Sequence, residues 1–259
     1  MEFLKSSKRR SLISEFVYVI LNIALAAALL AIVWGIESPY AAFALVFLSK
    51  WRVFAVRPRY WFANLQANLV DLIVGLSMVV LLYAAQGAPI LQAIVTLLYV
   101  GWLLFIKPRS KQSFIAIQAG VAVFLGVTAL MSISFDWLAS PVVVLMWLIG
   151  YATARHVLGS HDEAHISFYS LVWGMIFAEI GWLAYHWTFA YNLPGMADIK
   201  LSQVALITLA FSFLAERTYA SYTCHGVVRS NDVLLPVLLS VSVVLVLLAF
   251  FNTIGTGTV

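Results

Sequence analysis

Two carboxylates in this 259-residue chain fall deep inside apolar stretches, where an ionisable side chain needs a reason to be. Asp71 lies about 10 Å along the run that opens at Asn64, at 1.5 Å of rise per residue. Steps of four, three and four put Asn64, Asn68, Asp71 and Gly75 on one helical face. A carboxylate in line with two amides suits a proton or cation relay or a substrate contact. It equally suits a hydrogen-bonded clamp between helices. Gln118, at comparable depth in a later run, is the candidate partner.

Glu179 lies deeper still, in Gly174-x3-Ala178-Glu179-x-Gly181, with His186 two turns further along the same face. The small residues permit close helix approach, so Glu179 is expected to press into a neighbouring helix as a neutral acid. On that reading both Asp71 and Glu179 face protein.

A third group is His156, His161, Asp162, Glu163 and His165, in a turn between two apolar runs. His161 and His165 are four apart, the spacing that places two imidazoles on one helical face for zinc. The acidic pair directly follows the first histidine, however. The pattern is therefore not His-Glu-x-x-His, and the metalloprotease reading falls away. Ser160 to Glu163 matches a capping box, with Ser160 as N-cap and the acids in the first turn. Capping accounts for the acids but not for three histidines, so a metal or proton-handling site stays open beside the leading reading, a capped, solvated turn. No bound metal and no cofactor are expected.

The elements that hold these residues follow from composition. The chain is 63% hydrophobic and only 10% charged, with mean hydropathy +0.99. A soluble domain of this size needs far more charge to cover its surface, so lipid is the solvent. Apolar runs predict nine helices: Phe16–Gly35, Pro39–Val56, Asn64–Ala85, Pro89–Ile106, Ser113–Met131, Ser140–Leu158, His161–His186, Leu201–Ala215 and Val233–Phe251. The expected fold is all-α, a polytopic bundle of about nine spans. It has a basic N-terminal segment (1–13), a single transmembrane domain (14–251) and a short tail (252–259).

Charge sets the orientation. Of 15 lysines and arginines, all but Lys200 fall on one side of this layout, which the positive-inside rule makes cytosolic. The N-terminus is then cytosolic and the C-terminus external. The first run is too long for a signal-peptide core, so it reads as a retained helix with no cleaved leader. A multi-pass plasma (inner) membrane protein results, with the bilayer as its first partner. A membrane-protein partner or a second copy of itself is a further possibility. The pI near 9.2 arises from orienting charges between apolar runs and does not point to nucleic acid. Cys224 is the only cysteine, so no intrachain disulfide can form.

No lysine lies mid-span for a retinal Schiff base, and no phosphate loop or nucleophile elbow is present. The expected function is non-enzymatic: a transporter-like bundle or a subunit of an envelope complex. An intramembrane enzyme acting on lipid through Glu179 and the histidines is the alternative. The topology has a direct check. A reporter active only outside the cytosol should be active after Val259 and silent after Arg109; the reverse pattern, or silence at both, overturns the orientation.

Overall fold

Backbone N–H and C=O groups in hydrocarbon must pair within the protein, and a helix does so within a single segment. The computed structural model describes residues 12–53, 55–161, 163–186, 190–193 and 196–250. Nine α-helices occur among them: α1 (Leu12–Gly35), α2 (Tyr40–Ser49), α3 (Trp61–Ala84), α4 (Pro89–Gly101), α5 (Gln112–Ile133), α6 (Ala139–Gly159), α7 (Ile166–His186), α8 (Gln203–His225) and α9 (Ser230–Phe250). Between α7 and α8, β1 (Ala190–Leu193) and β2 (Met196–Ser202) form an antiparallel hairpin that the hydropathy pattern did not foreshadow. Residues 1–11 and 251–259, which hold most of the two expected terminal segments, lie outside the described residues, as does Asp162.

Side-chain ties between helix ends show an alternating up-and-down path. Tyr18, early in α1, donates to the Leu103 carbonyl just after α4 at 3.0 Å. Trp34, late in α1, donates to Gln92, early in α4, at 2.8 Å. The Tyr83 hydroxyl near the end of α3 lies 2.9 Å from the carbonyls of Ile36 and Ser38 in the α1–α2 turn. Tyr185 near the end of α7 donates to the Trp137 carbonyl ahead of α6. The end that carries Lys50, Lys107 and Arg155 is called the basic end below, and the other the far end.

Among the described residues, seven helices are long and apolar enough to cross a membrane: α1, α3, α4 with its extension, α5, α6, α7 and α9. The protein is thus a membrane-embedded helical bundle. The other two depart from the expected pattern. α2 has 10 residues, about 15 Å, roughly half a hydrocarbon core. α8 has 23 residues but is less apolar, running ten residues past Ala215 through Glu216 and Arg217 to His225. Gly226 ends it in the left-handed region at φ 71°, a C-terminal conformation that favours glycine.

Two other boundaries move. α7 begins at Ile166 rather than His161, and Ser160 closes α6 instead of opening α7. Its hydroxyl donates back to the Val157 carbonyl at 2.7 Å, so the expected capping box does not form. Past Gly101, α4 continues as a single π-type turn, Trp102–Ile106, in which the Lys107 N–H donates to the Trp102 carbonyl at 2.9 Å. That i→i+5 bond holds one more residue per turn than the α-helix does.

α6 and α7 make the most extensive helix contact. Glycines allow it. A Cβ at Gly150 would lie 2.6 Å from Cγ of Phe177, which is fully buried, and one at Gly174 would lie 2.9 Å from Trp147 Nε1. Gly174, Ala178 and Gly181 therefore face α6, as close-approach residues should. Gly150→Ala should destabilise the purified protein by about 1–3 kcal/mol, because the Phe177 ring has no free side to move to. Gly159→Ala, whose Cβ would meet only Ile166 Cδ1 at 3.5 Å, should be near neutral. Comparing the two melting temperatures in detergent checks this.

Candidate functional site

Gly75 sits one turn beyond Asp71 on α3. A Cβ there would lie 2.9 Å from Val46 Cγ1 of α2 and 3.5 Å from the Tyr99 hydroxyl of α4. Its absence lets both helices close on α3, and that closure brings their basic ends over Asp71. Lys50, capping α2, and Lys107, following the π turn, both pair with Asp71 Oδ2, Lys107 at 2.9 Å. The side chains are 11%, 14% and 30% exposed for Lys50, Asp71 and Lys107, so water screens the group only in part. Burial alone pulls the Lys107 ammonium down, but the Asp71 carboxylate outweighs it and holds Lys107 above its ordinary value. Asp71 Oδ1 is enclosed and takes no hydrogen bond from the described residues.

Two ammoniums on one carboxylate leave a net positive charge. Such a site repels a metal cation, so it is poorly suited to a cation relay. The amides do not join it. Asn68 donates to the Asn64 carbonyl of its own helix at 2.8 Å. Gln118 is not the partner of Asp71 either. Its amide N–H groups reach the carbonyls of Ile106 at 2.8 Å and Arg109 at 2.9 Å. Its oxygen is then left to accept from His156 Nε2 at 2.7 Å, which fixes the proton on that nitrogen. Gln118 thus ties the turn that carries Lys107 to α5 and α6.

The histidines of the second cluster go to separate partners. His156 turns inward to Gln118, His161 meets the Tyr219 ring edge-on at 5.3 Å, and His165 meets Tyr169 at 6.4 Å. Glu163 accepts from the Tyr219 hydroxyl and, at 3.0 Å, from the His165 N–H at the start of α7. The Tyr219 bond first, and the backbone bond second, hold its carboxyl below the usual range. Among the described residues no three histidine, cysteine or acidic side chains lie close enough to share a metal ion. A further polar knot closes the α8–α9 turn. There Ser221 donates to Asp232 at 2.8 Å, and His225 Nδ1 lies 3.4 Å from the same carboxylate. The serine bonds the acid rather than the imidazole, so the three side chains are not in the order of a serine–histidine–acid relay.

Glu179 reverses the expectation. It lies on the exposed side of α7, among Val172, Met175 and Trp182, while the small residues around it face inward. Alternation of these two faces explains both facts: Glu179 follows Ala178 by one residue, about 100° round the helix. His186, also exposed, packs against Trp182 at 4.7 Å. Glu179 stands 14 residues, about 21 Å, along the chain's rise from His165. The carboxyl and the histidine cluster therefore share no cavity. A groove of about 510 Å³ between α7 and α8, lined by Trp173, Phe211, Leu214, Tyr219 and Tyr222, is almost wholly apolar.

The residues that sequence reasoning passed over are Lys50, Lys107, Tyr18 and the Gln66–Tyr151 bond of 2.8 Å between α3 and α6. Lysine reach was the available signal: a side chain able to snorkel out to water is also able to reach inward. Asp71→Asn should destabilise the protein by about 3–5 kcal/mol, because it strands two shielded ammoniums. Lys107→Met should cost much less, since it leaves a neutral Lys50–Asp71 pair. Thermal unfolding of both variants in one detergent checks the order, and the opposite order removes the clamp. No family model matches the chain, and no curated protein or solved structure matches it either.

Proposed function

We propose that this chain is a non-enzymatic subunit of a membrane assembly, multi-pass in the plasma (inner) membrane. On this reading it has nine spans, with the basic end and N-terminus in the cytosol and the C-terminus outside. α2 would complete its crossing with the turn of Trp51–Val53, and α8 would stand with its charged last turns at the cytosolic interface. The observation that carries the reading is Glu179. A charged carboxylate facing lipid at this depth costs about 2.5–3.5 kcal/mol even on the permissive insertion scale, and a neighbouring protein that bonds the carboxyl removes that cost.

Other features point the same way. An enzyme needs several ionisable groups converging in one cavity. Here Asp71 is held by two lysines at the basic end, Glu179 lies outside, and the histidines are dispersed. A carrier needs a polar path toward both faces. Instead the bundle interior is filled by Val74, Val79, Leu103, Val123, Val127 and Phe177, all fully buried. Extraction with lipid in native nanodiscs tests the assembly. The wild-type chain should appear in particles whose protein mass exceeds the 28.7 kDa of one chain. Glu179→Leu, which suits lipid and leaves the packed face intact, should run as the single chain. Single-chain particles for the wild type would overturn the reading.

A further inference from the structure

Phe168, Val172, Met175, Glu179, Trp182 and His186 all lie exposed along α7. Their spacing is four, three, four, three, four, the seven-residue repeat that forms the seam of a two-helix coiled coil. α7 stands at the rim of the bundle. It packs along α6 and touches α8 little, so the seam is open over its length. α9 shows what a lipid-facing surface looks like in the same chain: beyond its first turn its exposed positions are apolar, Leu234, Leu235, Leu238, Val241 and Leu245 among them, apart from Ser242, whose hydroxyl returns to the Leu239 carbonyl of its own helix. The seam of α7 differs by a carboxyl in mid-helix, with His186 only in the last turn; the carboxyl is placed where a single polar residue sets register and partner number in coiled coils.

Resting on the subunit reading above, we propose that the partner of this seam is a second copy of the chain, paired α7 to α7 about a twofold axis. Both copies insert in the same direction, so the two helices run parallel, and a parallel pair sets each seam residue against its own counterpart. Glu179 then meets the Glu179 of the second copy. A carboxyl that holds a proton donates through O–H and accepts through C=O, so this group can satisfy itself across a twofold axis. A foreign helix would have to supply a matching cation or amide. Within the bundle, Arg155 of α6 and Arg217 of α8 belong to the basic end, roughly 20 Å from Glu179.

The test starts from Cys224→Ser, which removes the only cysteine. In membrane vesicles of the producing cell, Met175→Cys and Trp182→Cys should each form a disulfide-linked dimer on mild oxidation. Leu238→Cys, as lipid-exposed on α9 as those two positions and at a depth from the basic end like that of Met175, should not. In synthetic liposomes, single-molecule counting over a range of protein-to-lipid ratios should give a dimer. Glu179→Ala should raise its dissociation constant about tenfold, and Glu179→Gln, whose paired amides also bond each other, by no more than about twofold. Cross-linking of the α7 cysteines no greater than that of Leu238→Cys overturns self-pairing. If those cysteines instead link to a different chain, the subunit reading stands without it. If they link to nothing and the nanodisc particles hold one chain, both fail.

Discussion

A charged side chain inside hydrocarbon has no water to fall back on, so its counterions must come from the protein. Asp71 meets this constraint with two lysines drawn from different helix ends, and the packing of the N-terminal half is arranged around that meeting. α2 has to stop where Lys50 can reach α3, which accounts for its shortness. Gly75 has to lack a side chain so that α2 and α4 can close in. Tyr18 and Gln118 then fasten the segment that carries Lys107, one through the Leu103 carbonyl and the other through those of Ile106 and Arg109. Five helices, α1 to α5, are bound together at one end around a group that none could shelter alone.

Elsewhere the bundle meets the same constraint locally. Ser77, Thr128, Thr153, Ser170 and Thr208 each return a hydroxyl to a carbonyl four residues back. Such bonds satisfy the side chain without recruiting another helix, so these buried hydroxyls carry no message about a ligand. Other side-chain bonds cross between helices: Gln66 to Tyr151, Trp34 to Gln92 and His156 to Gln118, and, midway along α8 and α9, Ser240 to the Ala210 carbonyl. Together with the ties at the helix ends they hold the up-and-down order, and apolar packing with close approach at glycines fills the space between.

Helix number and order were legible because hydropathy counts apolar runs, and a run is a property of consecutive residues. Facing is not. The depth of Glu179 could be read from its position in α7, but its direction depends on whether α6 takes the glycine side or the glutamate side. The glycines settle this by steric fit, which a linear pattern does not display. Asp71 was legible as protein-facing because its own face carries amides and a glycine. Its lysine partners were not, because they come from helices 21 and 36 residues away in sequence. Ser160 shows a different failure. Its spacing to Glu163 matches a cap, yet the Ser160 hydroxyl turns back to Val157, and Glu163 caps His165 from outside the helix.

The π turn at Trp102–Ile106 has a consequence for how this segment tolerates change in length. A turn that closes from residue i to i+5 is an α-helix with one surplus residue accommodated as a bulge. Removing that surplus residue would restore ordinary α geometry in phase, whereas removing a second one would rotate everything beyond it by about 100° relative to the body of α4. Lys107 would then swing away from Asp71, and the carbonyls that Gln118 binds would turn with it. The pairing of a lysine on one helix with an aspartate on another is therefore written partly in the number of residues between Gly101 and Lys107, independently of which residues they are.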